Sequence, residues 1–239
     1  MLNTRLAIVM FAFLSLAACA PAAPPAPNPD VEAPEVIQAH SEAIHNLGFV
    51  NPTLNQDELE NLKRTYAYVD TRDVVPSKLK TAALAYYQAN ASRITNKTYL
   101  SVVDFSANSK YARLFIINMN SGAVTELHVA HGSGSDPNND GYATLFSNTS
   151  GSHMSSLGFY LTAESYNGKH GLSLRIDGLS STNSNVRARA VVIHGATYVY
   201  DKDTQAGRSD GCFAVSMAEH TTVVNELKNG SLLYANLSQ

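Results

Sequence analysis

The sequence has little of what several functions require. Charged residues make up 15% of the 239, no long run carries one sign, and the formal net charge is −3. There is no clustered Lys/Arg surface of the kind a phosphate backbone demands, so nucleic acid is excluded as a partner. Neither a P-loop nor a dinucleotide-binding glycine pattern occurs. Four of the histidines, His128, His131, His153 and His170, lack His-x-His or His-Glu-x-x-His spacing, and His128 and His131 would fall on opposite faces of one strand. No metal and no cofactor are therefore expected. Cysteine is reduced to two residues, Cys19 and Cys212. The 44% hydrophobic content is that of a globular protein of one or two domains with a real core.

The first eighteen residues differ from the rest. Arg5 supplies positive charge, and the apolar stretch that begins at Leu6 is too short to cross a bilayer, so residues 1–18 read as an export signal. It ends in Leu16-Ala17-Ala18-Cys19, which resembles a bacterial lipoprotein signal in which cleavage before Cys19 leaves that cysteine to carry lipid. The alternative is a plain secretory signal with Cys19 lost on cleavage. Ala20, where an aspartate would retain the protein at the inner membrane, favours the outer one. The expected location is periplasmic, lipid-anchored, at the outer membrane of a Gram-negative bacterium. Six of the nine prolines fall between Ala20 and Val36, so residues 19–36 are expected to be an extended spacer without fold of its own. With Cys19 lipidated, Cys212 cannot pair internally and is either a small buried hydrophobe or a working thiol.

Helical segments are predicted around Ile37 to Asn46, Gln56 to Tyr68 and Ser77 to Ala91, giving a helical stretch over residues 37–95. From residue 96 to 239 the pattern is sheet-like. Tyr99–Val103, Leu114–Ile117, Ala123–Val129, Gly158–Ala163, Leu172–Ile176, Ala190–His194 and Leu232–Ala235 are β-rich runs between Asn, Ser and Gly clusters. One late helix is expected to be capped by Ser216 and Glu219, with His220 on its apolar core face.

Ser209 and Cys212 stand in one loop, Gly207-Arg208-Ser209-Asp210-Gly211-Cys212. Gly-Arg-Ser-Asp-Gly fits the nucleophile-elbow pattern, but an acid and then a histidine should follow such a serine, and no aspartate follows Asp210. Cys212 has a partner upstream. Ala190–Ile193 is an apolar run ending in His194-Gly195, as a buried strand does when it delivers a side chain to the rim of a sheet. An imidazole within reach raises the thiolate fraction by taking the proton. Gly211 lets the backbone turn so that the Gly211 and Cys212 N–H groups can point at one oxyanion; the plainer reading is a glycine turn.

His194-Gly195 followed by Gly207-Arg208-Ser209-x-Gly211-Cys212 resembles the signature of the murein L,D-transpeptidase catalytic-domain family. His131-Gly132-Ser133-Gly134, Phe146-Ser147-Asn148, Ser155-Ser156-Leu157-Gly158, Gly168-Lys169-His170-Gly171-Leu172, Gly178-Leu179 and Arg187-Ala188-Arg189-Ala190 resemble its blocks, in its order. The chain departs from the better-known branch at Asp210, where that branch has histidine, and at Phe213-Ala214-Val215. The resemblance implies a mostly β (α+β) domain with a sandwich- or barrel-like sheet behind the helical segment. It also implies a two-step acyl transfer on peptidoglycan stem peptides. Cys212 would attack the carbonyl of the third-position diamino acid and expel D-alanine, and an amine would then resolve the thioester; water in that role would make a carboxypeptidase. His194 would act as base and then acid, oriented by the Gly195 carbonyl. Arg208 is the candidate for a substrate carboxylate or else a loop brace, Ser209 bonds substrate or backbone, and His131, Asn148 and Ser156 are expected to line the cleft. Carbapenem-type inhibitors are expected to acylate the thiol. The remaining alternatives are a cysteine murein hydrolase and a non-catalytic, lipid-anchored murein-binding protein.

Overall fold

The computed structural model describes residues 28–239; the expected signal and Cys19 lie outside the described residues. Helices α1 (Pro34–Asn46), α2 (Gln56–Thr65) and α3 (Ser77–Ala89) come first. Strands β1 (Tyr99–Asp104), β2 (Leu114–Asn118), β3 (Val124–Leu127), β4 (Gly158–Gly168), β5 (Gly171–Gly178), β6 (Val192–Ala196) and β7 (Phe213–Ser216) follow, then α4 (His220–Leu227) and β8 (Leu232–Asn236). Asn55 starts α2 by accepting from the Glu58 N–H while the Glu58 carboxylate accepts from the Asn55 N–H, a reciprocal cap that satisfies two free donors.

The eight strands make one sheet in the order β3-β2-β1-β8-β4-β5-β6-β7, antiparallel except for the β1/β8 and β6/β7 pairs. The sheet curls until its ends nearly meet. Beyond β3 the chain reaches the opposite edge, where the Ala130 N–H donates to the Ala214 carbonyl at 2.8 Å and Gly132 bridges Ser209. An eight-stranded sheet closed in this way leaves an interior just wide enough to be filled by side chains. Period-2 alternation sorts those side chains. Leu114 and Ile116 of β2 face the interior with Val103, Phe105, Phe213 and Leu233, while Phe115 and Ile117 join the outer core under α3. The domain is mostly β with a barrel-like sheet behind the helices, the class expected.

The helices are fixed by aromatic packing. Tyr86 of α3 stacks on Phe159 at 3.8 Å and on Phe49 at 6.1 Å, and Phe159 stacks in turn on Tyr234 at 4.1 Å. This column ties α3 to β4 and β8.

Several local expectations are corrected. The spacer does not extend to residue 36: α1 begins at Pro34, and Pro29 to Glu32 bond to β4, β5 and the chain before β6. Proline content marked the stretch as extended, whereas its described part turns at residues 29–30, where the Val31 N–H donates to the Asn28 carbonyl, and Asp30 and Glu32 carry charges that the sheet receives. Phe213–Ser216 is a strand, too short and too close to a glycine to stand out. The Ser216 hydroxyl accepts from the Glu219 N–H at 3.3 Å, but it does so from the end of β7, and α4 begins one residue beyond Glu219 without a side-chain cap. His220 is not a core residue; it is half-buried, and its Nδ1 bonds the Met217 carbonyl oxygen at 2.8 Å.

Truncation of the aromatic column tests this account. Tyr86→Ala removes a ring that is 2% exposed and is expected to lower unfolding free energy by about 3–5 kcal/mol, measured by urea denaturation.

Candidate active site

Parallel pairing of β6 with β7 aligns Ile193 with Phe213 and His194 with Ala214. Continued back by one residue, that register sets Cys212 opposite Val192, and Val192 and His194 lie two apart on the same strand face. Ala190, Val192, His194 and Cys212 accordingly line one cavity of about 350 Å³ together with Arg189, Arg208, Asp210 and Tyr198. Cys212 is half-buried, and the structure places it beside the strand that carries His194.

The immediate partners of both groups are defined. The His194 ring is 2% exposed, and its Nδ1 lies 2.9 Å from the Gly195 carbonyl oxygen. That oxygen only accepts, so Nδ1 carries the proton and Nε2 is left as the basic nitrogen, without a hydrogen-bond partner among the described residues. The exposed His170 ring stacks on His194 at 4.2 Å and 22°, which fixes its plane. The Cys212 thiol donates to the Ala190 carbonyl at 3.8 Å. Ala190 has φ +52°, a left-handed conformation that costs a residue with a Cβ about 1 kcal/mol. It sits where its carbonyl meets the sulfur.

Electrostatics correct the expected thiolate. Burial holds the His194 pKa down at about 4, against the opposing pull of the Gly195 carbonyl. Burial likewise pushes the Cys212 thiol up, and the Asp210 carboxylate adds to this, outweighing the Val192 amide, Lys169 and Arg189. Both shifts favour a neutral thiol beside a neutral imidazole in the resting protein, because neither charged form is adequately solvated in the cavity.

The loop around the thiol is tightly braced. The Ser209 hydroxyl donates to the Cys212 carbonyl at 2.8 Å and accepts from the Gly211 N–H at 3.1 Å. Ser209 lines the same cavity and braces the loop backbone, and the expected oxyanion donor at Gly211 is already engaged. The Cys212 N–H, with no partner among the described residues, remains as a donor. Gly211 is required at φ +115°, and a Cβ there would meet the Met154 carbonyl oxygen at 2.7 Å.

Three residues expected in the cleft lie elsewhere. His131 is fully buried: its Nδ1 accepts from Arg113 at 2.7 Å, its Nε2 donates to Asp136 at 3.2 Å, and its backbone oxygen accepts the Ser209 N–H. Burial and Arg113 lower its pKa to about 4. Asn148 joins two loops, donating to the Ser181 carbonyl and the Ser184 hydroxyl and accepting from the Asn185 N–H. Ser156 is 3% exposed and accepts from Arg189, which also holds the carbonyls of Ser147 and Met154. All three are polar because loop backbone must be satisfied, which a sequence block does not distinguish from contact with substrate. Arg208 does line the cavity; one arm donates to the Asp136 carbonyl, and the rest of the guanidinium has no partner among the described residues. Arg189, Tyr198, Ala190 and Asp30 line it without having been picked out singly; the turn at Ala190 and the place of Asp30 carry no local sequence signal.

Glu32, His40 and Glu164 bring possible ligand atoms within 4.8 Å of one another. Arg187 already donates to both carboxylates at 2.6–2.8 Å, so this donor set is an ion-pair cluster that fits a guanidinium and not a metal ion. Among the described residues no helix is long and apolar enough to cross a membrane.

A nearly closed β-sheet thus carries a thiol and an imidazole on one cavity wall. Residues 70–236 match the family model described as the L,D-transpeptidase catalytic domain, and the chain belongs to that family. Among solved structures, it is similar to the L,D-transpeptidase LdtMt1 in complex with imipenem, at 12% identity and TM-score 0.36, over 58% of this chain and 59% of that one. It is also similar to an L,D-transpeptidase from Xylanimonas cellulosilytica DSM 15894, at 13% identity and TM-score 0.35, over 91% of this chain and 100% of that one. No curated protein matches.

The two buried imidazoles make stability depend on pH. His131 and His194 titrate near pH 4 when folded, against about 6.5 unfolded. Between those values the unfolded chain binds more protons, so stability is full above about pH 6.5 and is lost as pH falls towards 4. The urea midpoint should drop across this window, and His194→Gln should flatten part of that drop.

Proposed function

We propose that the protein is a cysteine L,D-transpeptidase acting on peptidoglycan stem peptides through a thioester on Cys212. The observation that carries this is the β6/β7 register, which sets the Cys212 sulfur beside the strand of His194 in one cavity while Gly195 leaves His194 Nε2 free. Nε2 takes the thiol proton as the sulfur attacks the carbonyl carbon of the third-position diamino acid. The oxyanion is met by the Cys212 N–H. His194 returns the proton to the departing nitrogen, the peptide C–N bond breaks, and D-alanine leaves. In the second half an amine of a neighbouring stem attacks the thioester, His194 receives its proton and passes it to the departing sulfur, and the C–S bond breaks to give the cross-link and the thiol. Water in place of the amine gives trimming of the stem. Arg208 is suited to a substrate carboxylate because its guanidinium fork is only partly engaged.

Membership of the family supports peptidoglycan as the substrate, and the imipenem complex of a similar protein supports carbapenems as acylating inhibitors. Lipid anchorage at Cys19, and with it a periplasmic place at the outer membrane, rests on the signal-like N-terminus.

Intact mass after carbapenem treatment should show one adduct that is absent in Cys212→Ala and present in Ser209→Ala; an adduct on the cysteine variant would overturn the assignment. His194→Ala is expected to slow acylation by about 10²–10⁴-fold. Because the resting thiol is neutral and its pKa raised, alkylation of Cys212 by iodoacetamide should keep rising through pH 9, with no plateau near neutrality.

A further inference from the structure

The stretch ahead of α1 supplies a wall of the catalytic cavity. Asp30 is 8% exposed and lines the same cavity as Cys212 and His194. Its Oδ1 accepts from the Tyr166 hydroxyl at 3.0 Å and its Oδ2 from the Lys169 backbone N–H at 3.1 Å. Both donors are neutral, and no Lys, Arg or His among the described residues forms an ion pair with it. Glu32, two residues on, contrasts with this, since Arg187 and Arg175 both meet it.

The placement is built into the fold. The Pro29 carbonyl accepts from Arg175 at 2.6 Å, and Glu32 takes two bonds from Arg187, so the segment is pinned on both sides of Asp30. At the end of β4 a Cβ on Gly168 would come within 2.1 Å of Asp30 Oδ1; the hairpin is pared back where the carboxylate enters. A carboxylate has about four acceptor positions, and two of those on Asp30 are filled. A buried, charge-uncompensated acceptor in a substrate cavity is matched by a cationic group arriving with the ligand.

Resting on the transpeptidase reading above, we propose that Asp30 is a specificity-determining residue of the acyl-donor site, binding the side-chain ammonium of the third-position diamino acid. That residue bears the carbonyl that Cys212 attacks, so anchoring its side chain positions the scissile bond.

The test is D-alanine release by the full-length protein from a tetrapeptide with a free side-chain amine and from the same peptide acetylated there. The wild type should prefer the free amine by at least about tenfold in kcat/KM, and Asp30→Asn should bring that ratio near one. Tyr166→Phe, which removes a hydrogen bond but keeps the charge, should retain the preference. An equal ratio in the wild type, or a ratio undiminished in Asp30→Asn, overturns the proposal; should Asp30→Asn fail to fold, the wild-type and Tyr166→Phe ratios decide it. Release from neither peptide by the wild type counts against the transpeptidase reading itself.

Discussion

The site depends on one ladder, the parallel pairing of β6 with β7 at the closing edge of the sheet. Each strand is short, and the pair would be a weak edge without the chain after β3. Ala130 reaches across to Ala214, and His131 and Ser133 clasp both sides of Ser209. Closure therefore holds the register, and register decides the chemistry available. A slip of one residue would turn His194 into the interior and put Ile193 on the cavity wall. The parallel sense matters equally, because it brings the start of β7, where Cys212 stands, alongside the strand that carries His194.

Beneath the ladder lies a polar network in place of an apolar floor. Arg113 is fully buried and donates to the carbonyls of Val129 and Ala107 and to His131, which passes on to Asp136. Burial lowers the Arg113 pKa to about 9, still well above neutral, so a cation is held under the loop that carries Cys212. Asp136 in turn accepts from the N–H groups of Asp140 and Gly141 and from Arg208. Such a network costs more to desolvate than a hydrophobic one and stabilises only when every member is satisfied. What it contributes is directional: the loops at 131–141 and 207–212 have one mutual arrangement.

Much of this was legible beforehand, and what was not has physical reasons. Strands with unbroken apolar runs, such as Leu114–Ile117 and Leu232–Ala235, announce themselves because burial on both faces demands apolar residues without a break. Phe213–Ser216 does not, being only four residues long and led by a glycine turn. Cys212 and His194 could be picked out because a lone thiol and a histidine at a strand end need explaining. His131, Asn148 and Ser156 could not be sorted into substrate contacts and braces, since both tasks select the same polar side chains and differ only in where the loops meet. Asp30 was hidden more completely. It sits in a tract whose proline content reads as spacer, and only the folded sheet reveals that Tyr166, Lys169 and Gly168 form a seat for it.

The neutral resting pair fits a protein proposed to work outside the cytoplasm. A low-pKa thiolate is the form that oxidants and stray disulfides attack, and Cys212 is the only cysteine among the described residues. Burial raises the thiol and lowers the imidazole together, and both shifts favour the protonated sulfur at rest. Asp210, exposed and bonded to His153 at 2.9 Å, pushes the same way by disfavouring negative charge on the sulfur. In the mechanism proposed above, the free energy forgone in nucleophilicity is recovered in the transition state, where proton transfer to Nε2 and the Cys212 N–H act only once charge begins to form. An aspartate at that position is therefore consistent with a thiol kept quiet at rest and activated by substrate.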